Sequence, residues 1–329
     1  MGKFLKRGFL FAIPLFLVIG FAYPLDKWLS HFLASHSSIY YVTDEYAVWN
    51  DIFSGQIDSD LVIQGSSRAW LHFNPAMLKE GLGFSSYNLG VDGHNFWLQY
   101  FRHSQYLEHN KKPKVIVYSV DYGTLEKVDK EMYNYNYQQF LPYMLGSKDI
   151  QIYTSDYIVF NKWSSTLPLL RYSGEFSLLK DAVMMELSGD SSRKKRKKGF
   201  AGIQQKWNSD LERAKRKSPG ITVEIDSGLI KKFEDYIYEC KQKEINIIMV
   251  YAPIHDFGAA YIKNHEEITE MYRDLANKHD LRFLDYSTHE ISKDQANFYN
   301  STHLNSYGAN KFTQQLVKDI KMLGWQADL

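Results

Sequence analysis

The stretch "DLVIQGSSRAW", residues Asp60 to Trp70, indicates the fold. Its apolar run from Leu61 to Ile63 ends in Gly-Ser-Ser, and the chain then reaches Asn74-Pro75, which is typical of a helix N-cap followed by proline. A short buried strand that ends in a glycine-containing turn before a helix is characteristic of alternating α/β structure. We therefore expect the first strand of a parallel sheet at Leu61 to Ile63, followed by the Gly-Ser-Ser turn.

Four further apolar runs, separated by segments with helical spacing, continue this alternation. They are "FSSYNLGVDGHN" (84–95), "KPKVIVYSVDYG" (112–123), "EINIIMVYAPIHD" (244–256) and "LRFLDYS" (281–287). Strands that alternate with helices imply a parallel sheet with helices on both faces. The predicted fold is a three-layer α/β sandwich with a central parallel sheet of about five strands. In such folds ligands bind at the carboxyl ends of the strands.

Composition limits the possible functions. The chain has 329 residues, of which 44% are hydrophobic and 16% aromatic, so it can bury a full core. Its net charge of +1 gives no global field that would favour nucleic acid. The single cysteine, Cys240, allows no internal disulfide and no zinc site built on two or more cysteines. Because the surrounding pattern is helical, a half-buried structural thiol is favoured over a nucleophile.

The N-terminus has the features of a membrane anchor. Lys3, Lys6 and Arg7 precede an uncharged run from Gly8 to Leu25. This run is slightly shorter than the roughly 20 residues of a spanning helix but longer than a typical signal-peptide core. By the positive-inside rule, the chain after about Asp26 is exported. We expect an uncleaved signal anchor over residues 1–27, with a cleaved signal peptide or a buried core helix as alternatives.

The rest of the chain is expected to form a stem or extension over residues 28–59 and an α/β domain over 60–329. The strand and helix rhythm stops at about 126–227, which predicts an inserted, partly helical cap. A basic run from Arg193 to Lys198 lies in this insertion. A solvated loop is its simplest interpretation, and a site for an anionic polymer or anionic lipid head groups is the alternative. Nucleic acid is not expected as a partner of an exported chain.

Three predicted turns carry residues suited to nucleophilic chemistry. Ser67 follows the first strand, Gly93 follows the second, and His303 lies in "FYNSTHLNSYGANKF" (298–312) before the last helix. A serine at a tight strand-to-helix turn exposes its hydroxyl, a glycine lets a backbone N–H approach a ligand, and a histidine can take the serine proton. The alternatives are a helix N-cap for Ser67, a turn glycine for Gly93 and a surface or capping histidine.

These turns resemble the motifs of the SGNH (GDSL-like) hydrolase superfamily. The corresponding blocks are "GSS" (65–67), "NLGVDG" (88–93), "SVDY" (119–122) and "NSTH" (300–303), and they bracket roughly residues 61–325 without the insertion. The resemblance implies a flavodoxin-like strand order. The anchor, the Gly-Ser-Ser form and the "HLNSYGANKFT" ending look most like membrane-anchored exported members. Those proteins work beside membrane-bound O-acyltransferases that acylate cell-surface polymers.

The resemblance implies that Ser67 is the nucleophile, that His303 is its general base, and that the N–H groups of Ser67 and Gly93 form the oxyanion hole. It implies an exported esterase or acyltransferase that acts on O-acyl groups, commonly O-acetyl, of cell-surface or secreted carbohydrate. The expected partners are an acylated sugar or polymer, the membrane, and a membrane-bound O-acyltransferase. No cofactor is expected, and His94 and His255 lack the companion ligands of a metal site.

Two positions depart from the family pattern. Asn300 stands where the family has Asp, so it can orient His303 but offers no carboxylate, and behind a serine the loss of that acid can cost on the order of 10⁴-fold in rate. Asp121 stands where an Asn usually donates to the oxyanion, and a structural role at the strand end is favoured for it. A catalytically weak or inactive glycan-binding or scaffold partner of an acyltransferase is therefore an alternative, and a secreted lipid esterase is another.

Overall fold

A computed structural model of the chain describes residues 20–36, 40–129, 134–188 and 196–325. Of the predicted anchor run from Gly8 to Leu25, positions 8–19 lie outside the described residues. Within the described ranges, no helix is both long enough and apolar enough to cross a membrane.

The centre of the fold is a five-stranded parallel sheet with the strand order β2-β1-β3-β4-β5. This is the flavodoxin-like order, so the predicted fold class is confirmed. The strands are β1 (Leu61–Gly65), β2 (Ser86–Asn88), β3 (Val115–Val120), β4 (Asn246–Tyr251) and β5 (Arg282–Asp285). Because all the strands run the same way, their carboxyl ends form one edge of the sheet.

Helices cover both faces of this sheet. On one face, Val115 and Val117 of β3 belong to a core with α3 (Ser67–His72), α4 (Pro75–Leu82) and α13 (Ser306–Met322). On the other face, Ile116 and Tyr118 belong to a core with α5 (Phe96–His109), α9 (Ser227–Gln242) and α11 (His265–Lys278). Alternate residues of β3 thus enter opposite cores, which is why the strand is apolar throughout. Three shorter helices are α8 (Asp210–Lys217), α10 (Asp256–Tyr261) and α12 (Glu290–Lys293), and a 3₁₀ turn covers Gln295–Asn297.

The chain divides into two compact units. One contains the described residues up to Ala47 and those of Asp129–Lys194, and the other contains Val48–Val128 and Lys195–Leu329, including the whole sheet. The stretch predicted as an insertion, 126–227, is thus divided between the units: Asp129–Lys194 belong to the first, and residues 126–128 and 195–227 belong to the second. The helices of the first unit are α1 (residues 20–36), the start of α2 (Tyr40–Phe53), α6 (Lys148–Tyr153) and α7 (Phe176–Ser188), with 3₁₀ turns at Tyr137–Phe140 and Leu170–Tyr172.

The first unit is built around a buried ion pair. The Nη1 and Nη2 atoms of Arg171 lie 2.7 and 2.6 Å from the two carboxylate oxygens of Asp26 in α1, and both side chains are at most 1% exposed. The two parallel hydrogen bonds satisfy a charged pair that would otherwise be costly to remove from water. Apolar side chains of Leu33, Leu141 and Leu178 complete this core.

Cys240 is a free, buried thiol on α9. Burial raises its pKa to about 12, so the thiol stays protonated at neutral pH. This environment agrees with the predicted structural role, since a nucleophilic cysteine requires a stabilised thiolate.

Candidate active site

The turn after β1 places Ser67 at the start of α3, and the hydroxyl of Ser67 does not cap the helix. Gly65 has φ +137°, and a Cβ atom there would lie 2.5 Å from the carbonyl oxygen of Ser119, so only glycine fits. Ser66 is the N-cap, because its Oγ accepts the N–H of Arg68 at 3.2 Å. The N-cap alternative considered for Ser67 therefore belongs to its neighbour.

His303 faces this serine. The Oγ atom of Ser67 lies 2.8 Å from Nε2 of His303. The histidine loop is held on several sides: the ring of Tyr299 stacks on His303 with centroids 5.6 Å apart, and the N–H of Leu304 donates to Nε2 of His72 at 3.0 Å. These contacts hold the imidazole within hydrogen-bond reach of the hydroxyl whose proton it would take.

Asn300 fixes the orientation of the imidazole. Its Oδ1 accepts the backbone N–H groups of Thr302 at 3.0 Å and of His303 at 2.8 Å, and it lies 3.1 Å from Nδ1 of His303. Since a carbonyl oxygen only accepts, Nδ1 must carry the ring proton in this contact, and Nε2 is left free to accept from Ser67. The side chains predicted as catalytic thus lie together in the order Ser67, His303, Asn300, and their catalytic roles stay predictions.

The surroundings of His303 lower the pKa of its imidazole to about 3. Removal of the ring from water is the main cause, the nearby positive charge of Arg68 lowers the pKa further, and the negative charge of Asp210 raises it. The imidazole is therefore neutral at physiological pH, as a general base must be. The same environment makes the imidazolium that forms during a reaction costly, so anionic groups near His303 matter.

The turn after β2 packs against the turn that carries Ser67. Asn88 donates through Nδ2 to the carbonyls of Ala69 and Phe73, at 2.8 and 3.0 Å, and its Oδ1 accepts the N–H of Gly90 at 2.9 Å. Gly93, at the end of this turn, is exposed and has φ +65°. The turn that carries Gly93 is thus tied to α3, and the oxyanion role of its N–H stays a prediction.

Asp121 organises the turn after β3. Its Oδ2 accepts the hydroxyl of Ser66, and its Oδ1 accepts from the N–H of Gly123 at 2.9 Å and the hydroxyl of Thr124 at 3.2 Å. Both carboxylate oxygens are thus acceptors in a buried network, which fits the favoured structural role. The doubtful oxyanion role of Asp121 stays a prediction.

At Arg196, the basic run is not the solvated loop that the sequence predicted. This side chain is buried, its guanidinium lies 4.2 Å from the centre of the Trp70 ring, and its Nη1 donates to the carbonyl of Gly90 at 2.8 Å. A guanidinium can be buried here because an aromatic face and a carbonyl oxygen offset its lost hydration. Residues 193–195 lie outside the described residues.

Residues 196–210, here called the crossing segment, contact α3, the turn after β2, the histidine loop and the start of α13. The N–H of Asn88 donates to Lys198 at 2.9 Å, the N–H of Ser306 donates to Ile203 at 2.7 Å, and the N–H of Asn208 donates to Tyr299 at 2.8 Å. Sequence reasoning missed these contacts, because the segment has neither strand nor helix periodicity and its partners are distant in the chain.

A five-stranded parallel α/β fold with a serine and a histidine paired at the carboxyl ends of its strands defines the class of the protein. This architecture agrees with the strand order that the resemblance to the SGNH (GDSL-like) superfamily implies. The catalytic competence of the pair is a separate question that the fold does not answer.

The sequence matches no protein-family model and no curated protein. Among solved structures, an acetyl xylan esterase is similar to 79% of this chain over 98% of its own length, with 10% identity and a TM-score of 0.39. A family two carbohydrate esterase of Clostridium thermocellum, solved as an active-site mutant in complex with celluohexase, is similar to 82% of this chain over 65% of its own, with 10% identity and a TM-score of 0.32. What the chain can do chemically is set by its own side chains and not by these distant similarities.

Proposed function

We propose that the protein is a serine esterase or O-acyltransferase that uses Ser67 as nucleophile and His303 as general base. The observation that carries the proposal is the 2.8 Å contact between Oγ of Ser67 and Nε2 of His303. A serine hydroxyl is a weak nucleophile until a base takes its proton, and this contact supplies the base. The tautomer enforced by Asn300 leaves Nε2 as the acceptor.

In the proposed reaction, Oγ of Ser67 bonds to the acyl carbonyl carbon while its proton moves to Nε2 of His303. The tetrahedral intermediate then collapses, the bond to the alcohol oxygen breaks, and the imidazolium returns the proton to the leaving alcohol. The acyl group remains as an ester on Ser67. Water or a second hydroxyl then attacks this ester, with His303 again taking and returning a proton, which gives hydrolysis or acyl transfer respectively.

The substrate class proposed is an O-acylated, commonly O-acetylated, carbohydrate of the cell surface or of a secreted polymer. The four sequence motifs and the anchor-like N-terminus support it, because they resemble exported proteins that act beside membrane-bound O-acyltransferases. A membrane-bound O-acyltransferase is the proposed protein partner. Short acyl esters should then react faster than long ones, and a rate that rises with acyl chain length would favour a lipid esterase instead.

The location proposed is outside the cytoplasm, with the chain held to the membrane by its N-terminus. Lys3, Lys6 and Arg7 before the run from Gly8 to Leu25 support this orientation. Further along, α1 exposes Phe21, Leu25 and Trp28, which are spaced to share one side of the helix. Protease treatment of intact and permeabilised cells that express the full-length chain tests the proposal: degradation only after permeabilisation of the inner membrane would contradict it.

Reaction of the full-length protein with a serine-directed fluorophosphonate tests the chemistry. The expected result is an adduct on Ser67, located by peptide mass spectrometry, which is absent in Ser67→Ala and formed at least about a hundredfold more slowly in His303→Ala. An adduct on other serines alone, or no adduct on a folded protein, would contradict the proposed function.

A second candidate function is glycan binding without turnover, and Asp121 favours it. The carboxylate occupies the position from which an oxyanion donor is expected, and it accepts hydrogen bonds instead. One such donor can contribute about 10²- to 10³-fold to rate. This candidate predicts that Ser67→Ala binds an acetylated polysaccharide as tightly as wild type does, while wild type releases no acetate from it.

A further inference from the structure

The amide of Asn300 has a second partner on the side opposite His303. Its Nδ2 lies 3.4 Å from a carboxylate oxygen of Asp210. The orientation of the amide is fixed by chemistry, because the backbone N–H groups of Thr302 and His303 both point at Oδ1 and can only be met by an acceptor. The amide nitrogen therefore has to face Asp210.

The position of Asp210 is itself fixed. It is the first residue of α8, where Asn208 accepts its N–H at 2.9 Å and donates to its Oδ2 at 2.8 Å. Asn208 is bound in turn to the histidine loop, since its N–H donates to the carbonyl of Tyr299 at 2.8 Å. The crossing segment thus delivers a carboxylate to the far side of Asn300 and anchors it there.

We propose that Asp210 is the acid of this site and acts on His303 through the Asn300 amide, so that the order of groups is Asp210, Asn300, His303, Ser67. Asp210 is in this view a positioning residue, because it touches neither the reacting atoms nor the histidine. The inference deepens the proposed function and rests on it.

The amide can transmit the effect of the carboxylate in two ways. A hydrogen bond from Nδ2 to an anion polarises the amide and makes Oδ1 a stronger acceptor for the Nδ1 proton of His303. The negative charge also stabilises the imidazolium that forms when His303 takes the proton of Ser67. Both contributions are larger in the transition state than in the resting site, which is the requirement for an effect on rate.

Other charges limit the size of the effect. Arg68 of α3 disfavours the protonated form of His303, the ring of His72 lies 6.0 Å from that of His303, and Tyr122 after β3 reaches the site through a hydrogen bond with Thr302. On α8, the guanidinium of Arg213 pairs with Asp210, whose side chain is 44% exposed. Because solvent and Arg213 screen the carboxylate, we expect about a tenfold effect rather than the roughly 10⁴-fold effect of an acid bonded directly to the histidine.

The same geometry accounts for the asparagine at position 300. An aspartate there would present a second carboxylate about as close to Asp210 as the amide nitrogen is now, and like charges at that distance disfavour ionisation of both. Only an amide can accept from the histidine loop on one side and donate to Asp210 on the other. The departure from the family pattern and the carboxylate of the crossing segment are thus parts of one arrangement.

The test measures the rate of fluorophosphonate labelling of Ser67 in the full-length protein as a function of pH. We expect Asp210→Asn to label about tenfold more slowly at neutral pH and to reach half of its maximal rate at a lower pH, because loss of the anion weakens the base. Glu212→Gln is the matched control, since Glu212 is an exposed acid in the same first turn of α8. It should leave both the rate and the pH profile unchanged.

The Asn300→Asp variant serves as a second background and distinguishes the proposed role of Asp210 from a structural one. In Asn300→Asp, the new carboxylate bonds His303 directly and has no N–H to donate to Asp210, so only the through-space charge of Asp210 still acts on His303. We expect Asp210→Asn to slow labelling less in that background than in wild type. An equal loss in both backgrounds, or an Asp210→Asn variant that behaves like Glu212→Gln, would overturn the inference alone. Absence of labelling in wild type would overturn the proposed function and this inference with it.

Discussion

The Oγ atom of Ser67 lies 2.8 Å from Nε2 of His303, although 236 positions separate the two residues in the chain. The contact exists because β1 delivers the serine to the carboxyl edge of the sheet and the loop before α13 returns the histidine to the same edge. The parallel strand order is what brings the ends of sequence-distant strands to one place.

Loss of the Asn300 side chain is expected to slow labelling of Ser67 more than loss of the Thr302 hydroxyl. Asn300→Ala removes the acceptor for two backbone N–H groups and for Nδ1 of His303, so labelling of Ser67 should slow by about a hundredfold or more. Thr302→Val is the matched control, because the Thr302 hydroxyl also lies 3.1 Å from Nδ1. A Thr302→Val variant as slow as Asn300→Ala would show that the threonine holds the ring instead.

Arg196 is expected to support the turn after β2. Arg196→Met keeps much of the side-chain bulk but loses the guanidinium contact with the Trp70 ring and the hydrogen bond to the Gly90 carbonyl, so we expect labelling to slow several-fold and the free energy of unfolding to fall by about 1–3 kcal/mol. Urea unfolding and labelling kinetics measure the two effects. Lys197→Met, at the exposed next residue, should change neither; equal effects of both substitutions would contradict the assignment.

Acid is expected to destabilise the fold through histidines that the folded protein holds neutral. Removal from water lowers the pKa of the buried His103 and the partly buried His303 to about 3 and of the partly buried His265 to about 4, and it holds that of the buried His72 well below its usual value. The unfolded chain therefore binds more protons below its histidine pKa of about 6.5, and stability present above that pH is lost as the pH falls. Each histidine contributes at most about 1.4 kcal/mol per pH unit.

Urea unfolding between pH 7 and pH 4.5 isolates this effect from most carboxylates. The pKa values of Asp60 and Glu234 are lowered in the folded protein, so their contributions are lost only at more acidic pH. Burial raises the pKa of Glu126, so the folded protein takes up part of a proton there as the pH falls. This uptake stabilises the fold and offsets part of the effect of one histidine. A urea midpoint that stays constant over this range would show that the histidines are not held neutral.

Loss of one charge from the buried ion pair of the first unit is expected to destabilise that unit strongly. Asp26→Asn leaves the charge of Arg171 buried without its anion, which should lower the free energy of unfolding of that unit by about 3–5 kcal/mol. Limited proteolysis should then cut within residues 134–188. Asp58→Asn, which removes an exposed partner of Lys111, should leave the cleavage pattern unchanged. Resistance of Asp26→Asn to proteolysis would show that the pair is dispensable.

Local patterns in the sequence were sufficient for the architecture and for part of the site. Short strand-like segments between helical patterns were recognisable for all five strands, and β3 was the clearest because a strand buried on both faces is nearly apolar along its length. The Gly-Ser-Ser turn and the turn before the last helix pointed to Ser67 and His303, because turn residues are recognisable from composition, and the resemblance to the SGNH motifs added Asn300. The sequence could not show which of the two serines caps α3, since that depends on backbone geometry at Gly65.

Contacts between segments without periodicity were decided only by the tertiary structure. Asp210 lies 90 positions before Asn300 in a basic stretch that resembles a solvated helix, and Arg196 lies in a run of charges that usually stays in water. Neither side chain has a local signal, because its partner is supplied by a different segment after folding. The sequence by itself determined the sheet, the serine and the histidine through short-range periodicity and turn chemistry. The fold alone placed a carboxylate behind Asn300 and a buried guanidinium beneath the turn after β2, because charges are accommodated by partners that meet only in three dimensions.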